Sequence, residues 1–418
     1  MGGCPSGDGD EGIVLTGTDL RAHWWAAVAS VTRLVGDLAT AEDAVQDACV
    51  AALLQWPVEG EPPNPRAWLV GVARHKALDR IRREVRRGEK EAAAAREWAQ
   101  PADAQPADPL GDDELSLIFM CCHPALDPAA RIALTLRSVC GLSTAEVAAV
   151  FLVGEPTMAK RLNRARHKIR QAGIPFAAPR PEDLAERLDV VLRVIYLVFT
   201  EGHKASAGIA LVRGELCDTA IRLARTLAAL LPDEPEAIGL LALLLLTDAR
   251  RPARVDVAGE PVLLADQDRR RWDRAMIGEG EALLDRALRA GRPGPYQLHA
   301  AIAACHSTAP DAADTDWRQI ALLYGELLRY EPTPVVEANR AVAVAMVDGP
   351  AAGLAILDVL SGHAQVGRWP QLHIARADLL SRLGRTADAL DAYRTALALA
   401  PSPAENSFIT KRIDQLGG

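Results

Sequence analysis

The chain has 418 residues, enough for two or three domains that each bury a core of their own. Hydrophobic residues make up 49% of the chain and charged residues 24%, which excludes a disordered protein and is typical of a soluble globular one. Acidic residues outnumber Lys and Arg by 55 to 47, so the formal net charge is −8. Ala, Leu and Arg dominate while aromatic residues are only 4%, and this composition predicts an all-α fold.

The N-terminal residues 1–18 begin with a glycine-rich acidic stretch and predict a disordered leader rather than a secretory signal. The longest apolar run, Ile238–Leu246, is too short to cross a bilayer. Seven cysteines without a CxxC pair favour reduced thiols and a cytoplasmic location, with no membrane contact. We interpret Cys121, Cys122 and His123 as packing residues at a helix end, with metal binding or redox sensing as the alternative.

The segment 19–90 predicts a first helical domain that ends in positive charge. From Arg74 to Lys90 the chain carries eight Lys or Arg residues against three acids. Trp68 lies just before this run, and it is either a stacking platform for bases beside a basic groove or a core residue. The segment 91–111 is rich in Ala, Pro and Asp without apolar periodicity, so we expect a linker there.

The segment 112–175 predicts a second helical domain with a more concentrated positive charge. Ser143 and Glu146 form a capping box, so a helix should begin near Thr144, and Pro156 suits the first turn of the next helix. On that helix an apolar stripe recurs at spacings of 4, 3 and 4: Met158, Leu162, Ala165 and Ile169. A second face is cationic: Thr157, Lys160, Arg161, Arg164 and Lys168. Because Glu155 is the one acid on this helix, DNA binding explains the charge better than a solvated face does.

The segment 182–418 predicts a stack of helix pairs. Ala389, Tyr393 and Ala396 fall at the spacing of the second helix of a tetratricopeptide (TPR) repeat, and Pro401 follows. The same frame recurs earlier in the segment: Ile320, Tyr324, Leu327 and Pro332, and before them Ala220, Ala224, Leu227 and Pro232.

Two stretches resemble region 2 of extracytoplasmic function (ECF) sigma factors of the sigma-70 family: AEDAVQDACVAALLQW at 41–56 and NPRAWLVGVARHKALDRIRR at 64–83. LSTAEVAAVFLVGEPTMAKRLNRARHKIR at 142–170 resembles their region 4. The C-terminal extension, with CCHPAL at 121–126, is similar to ECF group 42. The resemblance implies sigma region 2 over 19–90, sigma region 4 over 112–175 and a TPR-like regulatory domain over 182–418.

The resemblance also implies partners and contact residues for region 2. The helix over 41–56 is expected to bind the clamp helices of the RNA polymerase β′ subunit through an acidic and amide face: Glu42, Asp43, Gln46 and Asp47. The expected apolar side of that helix is Ala44, Val45, Ala48 and Leu53. The loop 57–64 is expected to capture a flipped base of the promoter −10 element. The −10 strand is expected to meet Asn64, Trp68, Arg74, His75, Lys76, Asp79, Arg82 and Arg83.

For region 4 the resemblance implies that the helix over 155–170 reads the −35 element as duplex DNA. The expected DNA-binding residues are Thr157, Lys160, Arg161, Arg164, Arg166 and Lys168. The β flap of polymerase is the second expected contact on that enzyme. The implied function is that of a sigma factor, and we expect no catalytic residue, metal or cofactor. Because the C-terminal extension is large and follows region 4 after the short connector 174–181, our hypothesis is that it contacts regions 2 and 4.

Two other functions remain open. A helix-turn-helix regulator that never joins polymerase would explain 142–170 but leave 41–83 without a role. A ligand-binding or enzymatic role for 182–418 is the other alternative, since His299 and His306 lie seven residues apart on one helical face. No nucleophile–base pair, phosphate loop or metal-ligand spacing accompanies these histidines in the sequence.

Overall fold

The computed structural model describes residues 17–91, 111–151, 153–203, 214–256, 262–363, 366–399 and 403–417. These residues form helices, turns and loops, with no β-strand among them, which confirms the all-α prediction. The predicted leader and linker lie almost entirely outside the described residues. Among the helices described, none combines the length and the apolar character that crossing a membrane requires.

The chain divides into two compact units, one ending at Val194 and the other beginning at Ile195. The helices of the first unit are α1 (Gly17–Val35), α2 (Leu38–Glu59), α3 (Pro65–Glu91), α4 (Gly111–Cys121), α5 (Pro128–Leu134), a π-helical turn (Thr135–Val139), α6 (Thr144–Val150) and α7 (Glu155–Gln171). The next helix, α8 (Pro181–His203), contains the point of division.

Helix α2 packs through small side chains. Ala41, Val45, Ala48 and Ala52 are fully buried, at spacings of 4, 3 and 4, so the neighbouring helices can approach closely. Ala44 is buried as predicted, but the expectation for Leu53 was wrong, because its side chain is 44% exposed. The buried line continues to Ala52 and Trp56, and Leu53 lies one position off that line.

The loop predicted at 57–64 begins three residues later, because α2 continues through Pro57 to Glu59. Trp56 is only 4% exposed and anchors this last turn in the core. The helix ends at Gly60, whose φ of 86° is accessible to glycine and whose N–H donates to the Trp56 carbonyl at 2.9 Å. The turn before α3 is therefore confined to residues 60–64.

The capping box predicted for α6 is present. The Ser143 N–H donates to Glu146 Oε2 at 2.6 Å, and the Glu146 N–H donates to Ser143 Oγ at 3.1 Å. The helix begins at Thr144, as expected from the sequence. Helix α7 follows with Pro156 in its first turn, where the missing N–H of proline costs nothing.

Cys121 and Cys122 are buried at the end of α4, where the packing interpretation placed them. Cys122 Sγ lies 3.4 Å from Thr135 Oγ1. Burial raises the pKa of Cys122 to about 11 and that of Cys121 well above its ordinary value, so both side chains are held as thiols. His123 Nδ1 accepts from the Ala125 N–H at 3.1 Å, so its ring is directed at the local backbone.

The helices of the second unit, after α8, are α9 (Gly214–Leu230), α10 (Pro235–Asp248), α11 (Arg274–Arg289), α12 (Pro295–Ser307), α13 (Trp317–Leu327), α14 (Pro334–Val347), α15 (Pro350–Ser361), α16 (Pro370–Arg382), α17 (Thr386–Leu399) and α18 (Pro403–Gly417). Short 3-10 turns cover Arg251–Ala253, Leu264–Asp266, Arg269–Arg271 and Ala312–Asp314. Helices adjacent in sequence pack together throughout, as in α10 with α11, α14 with α15 and α16 with α17.

Several of the predicted repeat positions are buried, whereas Pro401 lies outside the described residues. Ala389, Tyr393 and Ala396 of α17 are at most 1% exposed, and the Tyr393 hydroxyl donates to Asp378. Helices α9 and α13 end shortly before Pro232 and Pro332, because proline cannot continue a helix. The pairing of neighbours agrees with a stack of helix pairs, while the TPR assignment itself stays a prediction.

Candidate nucleic-acid and polymerase interface

Helix α7 separates an apolar face from a cationic one, as its sequence predicted. The four stripe residues are buried at 0–7% exposure: Met158, Leu162, Ala165 and Ile169. Lys160, Arg164 and Lys168 are exposed at spacings of four, so their charges line one side of the helix. The Arg161 guanidinium lies 5.1 Å from the centroid of the Phe151 ring, which holds this half-buried side chain beside the same face.

The cationic side chains form one wall of a groove of about 610 Å³. The opposite wall comes from the loop before α5 and the start of that helix, with Ala125, Asp127 and Ala130. The α7 wall contains five of the six residues predicted to bind the −35 element: Thr157, Lys160, Arg161, Arg164 and Lys168. The structure therefore brings these five together, on a concave surface that faces solvent.

Arg166, the sixth predicted −35 residue, contacts α2 instead. Its Nη2 donates to Glu42 Oε2 at 2.5 Å, and its Nη1 donates to Asn163 Oδ1 at 3.0 Å. The Glu42 side chain is 1% exposed, and its other oxygen accepts from the Ser138 hydroxyl. A residue predicted to bind polymerase and one predicted to bind DNA are thus bonded to each other, inside the first unit.

Other contacts join the same two parts of the chain. Arg137 Nη2 donates to Gln46 Oε1 at 3.1 Å, and the Arg170 side chain lies 3.4 Å from Asp37. The indole N–H of Trp24 donates to the Ser138 carbonyl at 3.0 Å. These bonds are spread over α1 and α2 on one side and over the π-helical turn and α7 on the other.

Glu114 on α4 adds a further link. Its carboxylate lies 2.5 Å from Arg66 of α3, and its backbone carbonyl accepts from the Trp25 indole N–H at 3.1 Å. Burial raises the pKa of Glu114 although the Arg66 guanidinium opposes that shift. Residues 19–90 and 112–175 therefore form a single packed body, with ionic contacts at its centre.

The remaining predicted polymerase-binding residues face solvent on α2. Asp43 and Arg80 form an ion pair at 2.8 Å, with both side chains more than 40% exposed. Gln46 and Asp47 are exposed as well, although Gln46 is bonded to Arg137. The structure therefore places Asp43, Gln46 and Asp47 at the surface and Glu42 beneath it.

The sequence interpretation missed an exposed apolar stripe that continues this face. Val50, Leu54 and Val58 of α2 are 52%, 71% and 84% exposed, and they follow Asp47 at spacings of 3, 4 and 4. The signal was present in the sequence as that spacing. It was hidden because α2 is apolar around much of its circumference, so that exposed and buried apolar positions look alike.

On α3, most of the predicted −10 residues share one side. Spacings of 7, 4 and 3 put four of them on one side of the helix: Trp68, His75, Asp79 and Arg82. Arg74 lies six positions after Trp68 and therefore on a different side of the helix. Lys76 is half-buried and Arg83 is exposed beside this line.

Trp68 and Asn64 also have local structural roles. The Trp68 ring packs edge-on against Trp56 with centroids 5.3 Å apart, while the side chain remains half-buried. Asn64 Oδ1 accepts from the Ala67 N–H at 3.0 Å and so caps the first turn of α3.

Comparison with known proteins matches these same segments. The family model for sigma-70 region 2 matches residues 25–87, and the model for sigma-70 region 4 matches residues 116–169. A family of unknown function, DUF6596, matches residues 187–288. Both sigma matches lie inside the ranges predicted from the sequence.

Two relatives show how far the similarity extends. An uncharacterized protein of Rhizobium meliloti strain 1021 is 44% identical over 395 residues, which cover 93% of each chain. The probable ECF RNA polymerase sigma factor SigI of Mycobacterium tuberculosis is 33% identical over 159 residues, which cover 37% of this chain and 54% of SigI. The extension beyond α7 is thus shared with the first relative over almost its whole length.

Sigma-70 regions 2 and 4 follow each other in this chain in the same order as in the family, and each contains a cationic helix. The chain belongs to the ECF sigma factors of the sigma-70 family. It is therefore an RNA polymerase sigma factor, and proteins of this family are binding subunits rather than enzymes. The membership in group 42 stays a prediction.

The buried carboxylate of Glu42 gives a testable energetic contrast with its neighbour Asp43. Glu42→Gln leaves Arg166 half-buried without a counter-ion, so we expect the free energy of unfolding of the first unit to fall by about 3 kcal/mol. Asp43→Asn removes a carboxylate whose ion pair is exposed and should cost at most about 1 kcal/mol. Urea denaturation of the full chain measures both, and equal losses would contradict the structural role of Glu42.

Proposed function

We propose that this sigma factor directs core RNA polymerase to promoters by reading the −35 element with α7 and the −10 element with α3. The observation that carries the proposal is the groove of about 610 Å³, whose α7 wall holds Thr157 and four cations that make no ion pair within the described part of the chain. Proteins of the family work with core polymerase and promoter DNA in the cytoplasm, and we propose the same for this chain.

The shape and charge of α7 support duplex readout. Lys160, Arg164 and Lys168 extend along about two turns of an exposed helix, which fits the major groove of B-DNA. Arg164 can meet guanine N7 and O6, or a phosphate, while Thr157 near the helix start can contact a base edge or the backbone. Arg166 would join this set only after it leaves Glu42.

For the −10 element we propose that α3 holds single-stranded DNA. Arg82 and Arg83 would contact phosphates, and the half-buried ring of Trp68 would offer a surface on which a base can stack. The turn 60–64 lies at the start of α3, so a base flipped out of the strand could enter beside Asn64. Asp79 and His75 lie on the same side of the helix and would supply hydrogen bonds to base edges.

For polymerase we propose that the exposed face of α2 binds the β′ clamp helices. Asp43 and Asp47 supply negative charge for a basic partner. The apolar stripe of Val50, Leu54 and Val58 supplies apolar surface that binding would remove from water. Such a combination of an apolar stripe and an acidic border is typical of a surface that docks another helix. The β flap contact is proposed for region 4 on the basis of family membership alone.

The contact between regions 2 and 4 has to open for this function. The −10 and −35 elements are about 25 base pairs apart, which is about 85 Å of B-form DNA at 3.4 Å per pair. In contrast, Glu42 Oε2 of region 2 and Arg166 Nη2 of region 4 are only 2.5 Å apart. We propose that binding of core polymerase to α2 separates the two regions, since one packed body cannot span both elements.

Promoter-binding titrations of the polymerase–sigma complex at several salt concentrations test the DNA-binding role of α7 with a matched pair of variants. Arg164→Ala removes a charge from the groove wall, whereas Arg180→Ala removes an exposed charge outside the groove that pairs locally with Glu182. We expect Arg164→Ala to weaken promoter binding by about 1–3 kcal/mol and to lower the salt slope by about one unit if the contact is a phosphate. Arg180→Ala should change affinity by less than about twofold.

Equal effects of the two substitutions would remove α7 from the −35 interface. Failure of the wild-type chain to support initiation with core polymerase would instead favour the helix-turn-helix regulator that acts without polymerase. The apolar stripe gives an independent check, because Leu54→Lys should reduce co-purification with core polymerase and leave DNA binding by α7 unchanged.

We further propose that the C-terminal segment 182–418 regulates the sigma regions by contacting them. The proposal rests on its size and on its covalent link to region 4. A chain that ends at Val194, where the first compact unit ends, should differ from the full chain in run-off transcription from the same promoter. Identical output from both chains would contradict a regulatory role.

A further inference from the structure

Within the described ranges of the chain, Arg250 of the second unit has no charged partner of opposite sign. It follows directly after the last turn of α10, and its Nε atom is buried without a hydrogen-bond partner among the described residues. The charged groups that act on it are Arg254 and Arg269, and both have its own sign. Burial, followed by these two arginines, lowers the pKa of Arg250 to about 10, so the side chain still carries its proton at neutral pH.

The two neighbouring arginines are fixed by backbone carbonyls. Arg254 donates to the carbonyl of His203 at the end of α8. Arg269 donates to the carbonyls of His306 and Ala309 at 2.8 and 2.6 Å, and its guanidinium lies 4.4 Å from the Trp272 ring centroid. Carbonyl oxygens orient a guanidinium but do not neutralise its charge. The fold therefore fixes Arg254 and Arg269. The Asp273 N–H donates to the Ala249 carbonyl at 2.9 Å, which places Arg250 beside the turn that carries Arg269.

Acidic groups offset this charge only in part. Burial lowers the pKa of Arg254 and Asp248 opposes that shift, yet the Asp248 carboxylate is bonded to Arg251, with Nε 2.9 Å from Oδ1. Asp311 and Asp314 act on Arg269, but no ion pair joins them to it among the described residues. Arg250 receives no such help, and a half-buried cation without a compensating charge becomes more favourable when a further group of opposite charge binds it.

A neutral imidazole completes the surroundings of Arg250. Burial, then Arg250 and Arg269, lowers the pKa of His306 to about 4, so its ring is neutral at physiological pH. Its Nδ1 atom is buried and has no hydrogen-bond partner within the described part of the chain. The ring is held edge-on against Trp317 with centroids 5.2 Å apart. A neutral ring in this position can donate one N–H to an anion.

We propose that this cluster, defined as Arg250, Arg254, Arg269 and His306, binds the phosphate group of a small molecule. A phosphate dianion offers several acceptor oxygens to guanidinium forks and supplies the negative charge that the cluster lacks. The elements that hold the cluster are the end of α10, the turns Arg251–Ala253 and Arg269–Arg271, and the end of α12. The site is independent of the sigma regions and adds a ligand to a segment whose family match names no function.

A metal ion is the competing occupant. His203, Cys217 and Asp248 offer ligand atoms that lie within 4.8 Å of one another. The Asp248 carboxylate is already bonded to Arg251. Burial, followed by the charges of Arg254, Arg250 and Arg251, lowers the pKa of His203 to about 2. A divalent cation at this position would be repelled by the same arginines, so the charge distribution favours an anion.

Thermal unfolding of the full chain tests the site, at constant ionic strength with inorganic phosphate, glycerol phosphate, chloride or Zn²⁺ as the added probe. Phosphate should raise the melting temperature of the second unit by about 5 °C at about 100-fold above its Kd, and chloride should not. A larger shift with glycerol phosphate identifies a phosphate monoester as the better ligand, whereas an equal or smaller one identifies the free ion; either supports the site.

The matched variants are Arg250→Met and Arg270→Met. Arg250→Met removes a half-buried charge that has no counter-ion among the described residues, so it should melt higher than wild type without phosphate and lose the phosphate response. Arg270, which is exposed and pairs with Asp268 at 2.9 Å, should be replaceable with no change in either measurement.

Several results would overturn the proposal. The first is a wild-type melting temperature that phosphate does not raise, and the second is an equal rise in Arg250→Met. The others are a melting temperature of Arg250→Met below that of the wild type without phosphate, and stabilisation by Zn²⁺ in place of phosphate. If Arg250→Met fails to fold, Arg250→Gln keeps the length and polarity of the side chain without its charge. An undiminished phosphate response in Arg250→Gln would then overturn the proposal.

Discussion

The contact on which the first unit depends is the buried carboxylate of Glu42. It accepts from Ser138 and from Arg166, so one side chain of region 2 holds both the π-helical turn and α7 of region 4. A carboxylate that is 1% exposed is costly unless its oxygens are bonded to donors or cations, and both of these are supplied from region 4. The same bond occupies Arg166, a predicted DNA-binding residue, and hides Glu42 beneath the face proposed to bind polymerase.

The positive charges of α7 have two different kinds of partner in this otherwise acidic chain. Arg166 and Arg170 of α7 are compensated within the protein by Glu42 and Asp37, whereas Lys160, Arg164 and Lys168 face the groove. The helix thus carries two sets of cations with different partners. One set stabilises the closed unit, and the other is left for the phosphates and base edges of DNA.

The sequence predicted local structure well, because local structure follows from spacing and capping. The stripe on α7 and the capping box of Ser143 needed only residues within a few positions of each other. The sequence did not reveal the bond between Glu42 and Arg166, which are 124 positions apart, since charge alone does not select one partner among many. The error at Leu53 has a similar origin, because on a helix as apolar as α2 only the packing of neighbouring helices decides which apolar residues are exposed.

The distance between regions 2 and 4, with and without core polymerase, tests the central claim most directly. Spin labels attached through unnatural residues at the exposed positions Gln55 of α2 and Gln171 of α7 would report it by pulsed electron resonance on the full chain. The account predicts one short distance in the free protein and a distance longer by tens of ångströms once core polymerase is bound, since the promoter elements are about 85 Å apart. An unchanged short distance in a transcriptionally active complex would contradict it.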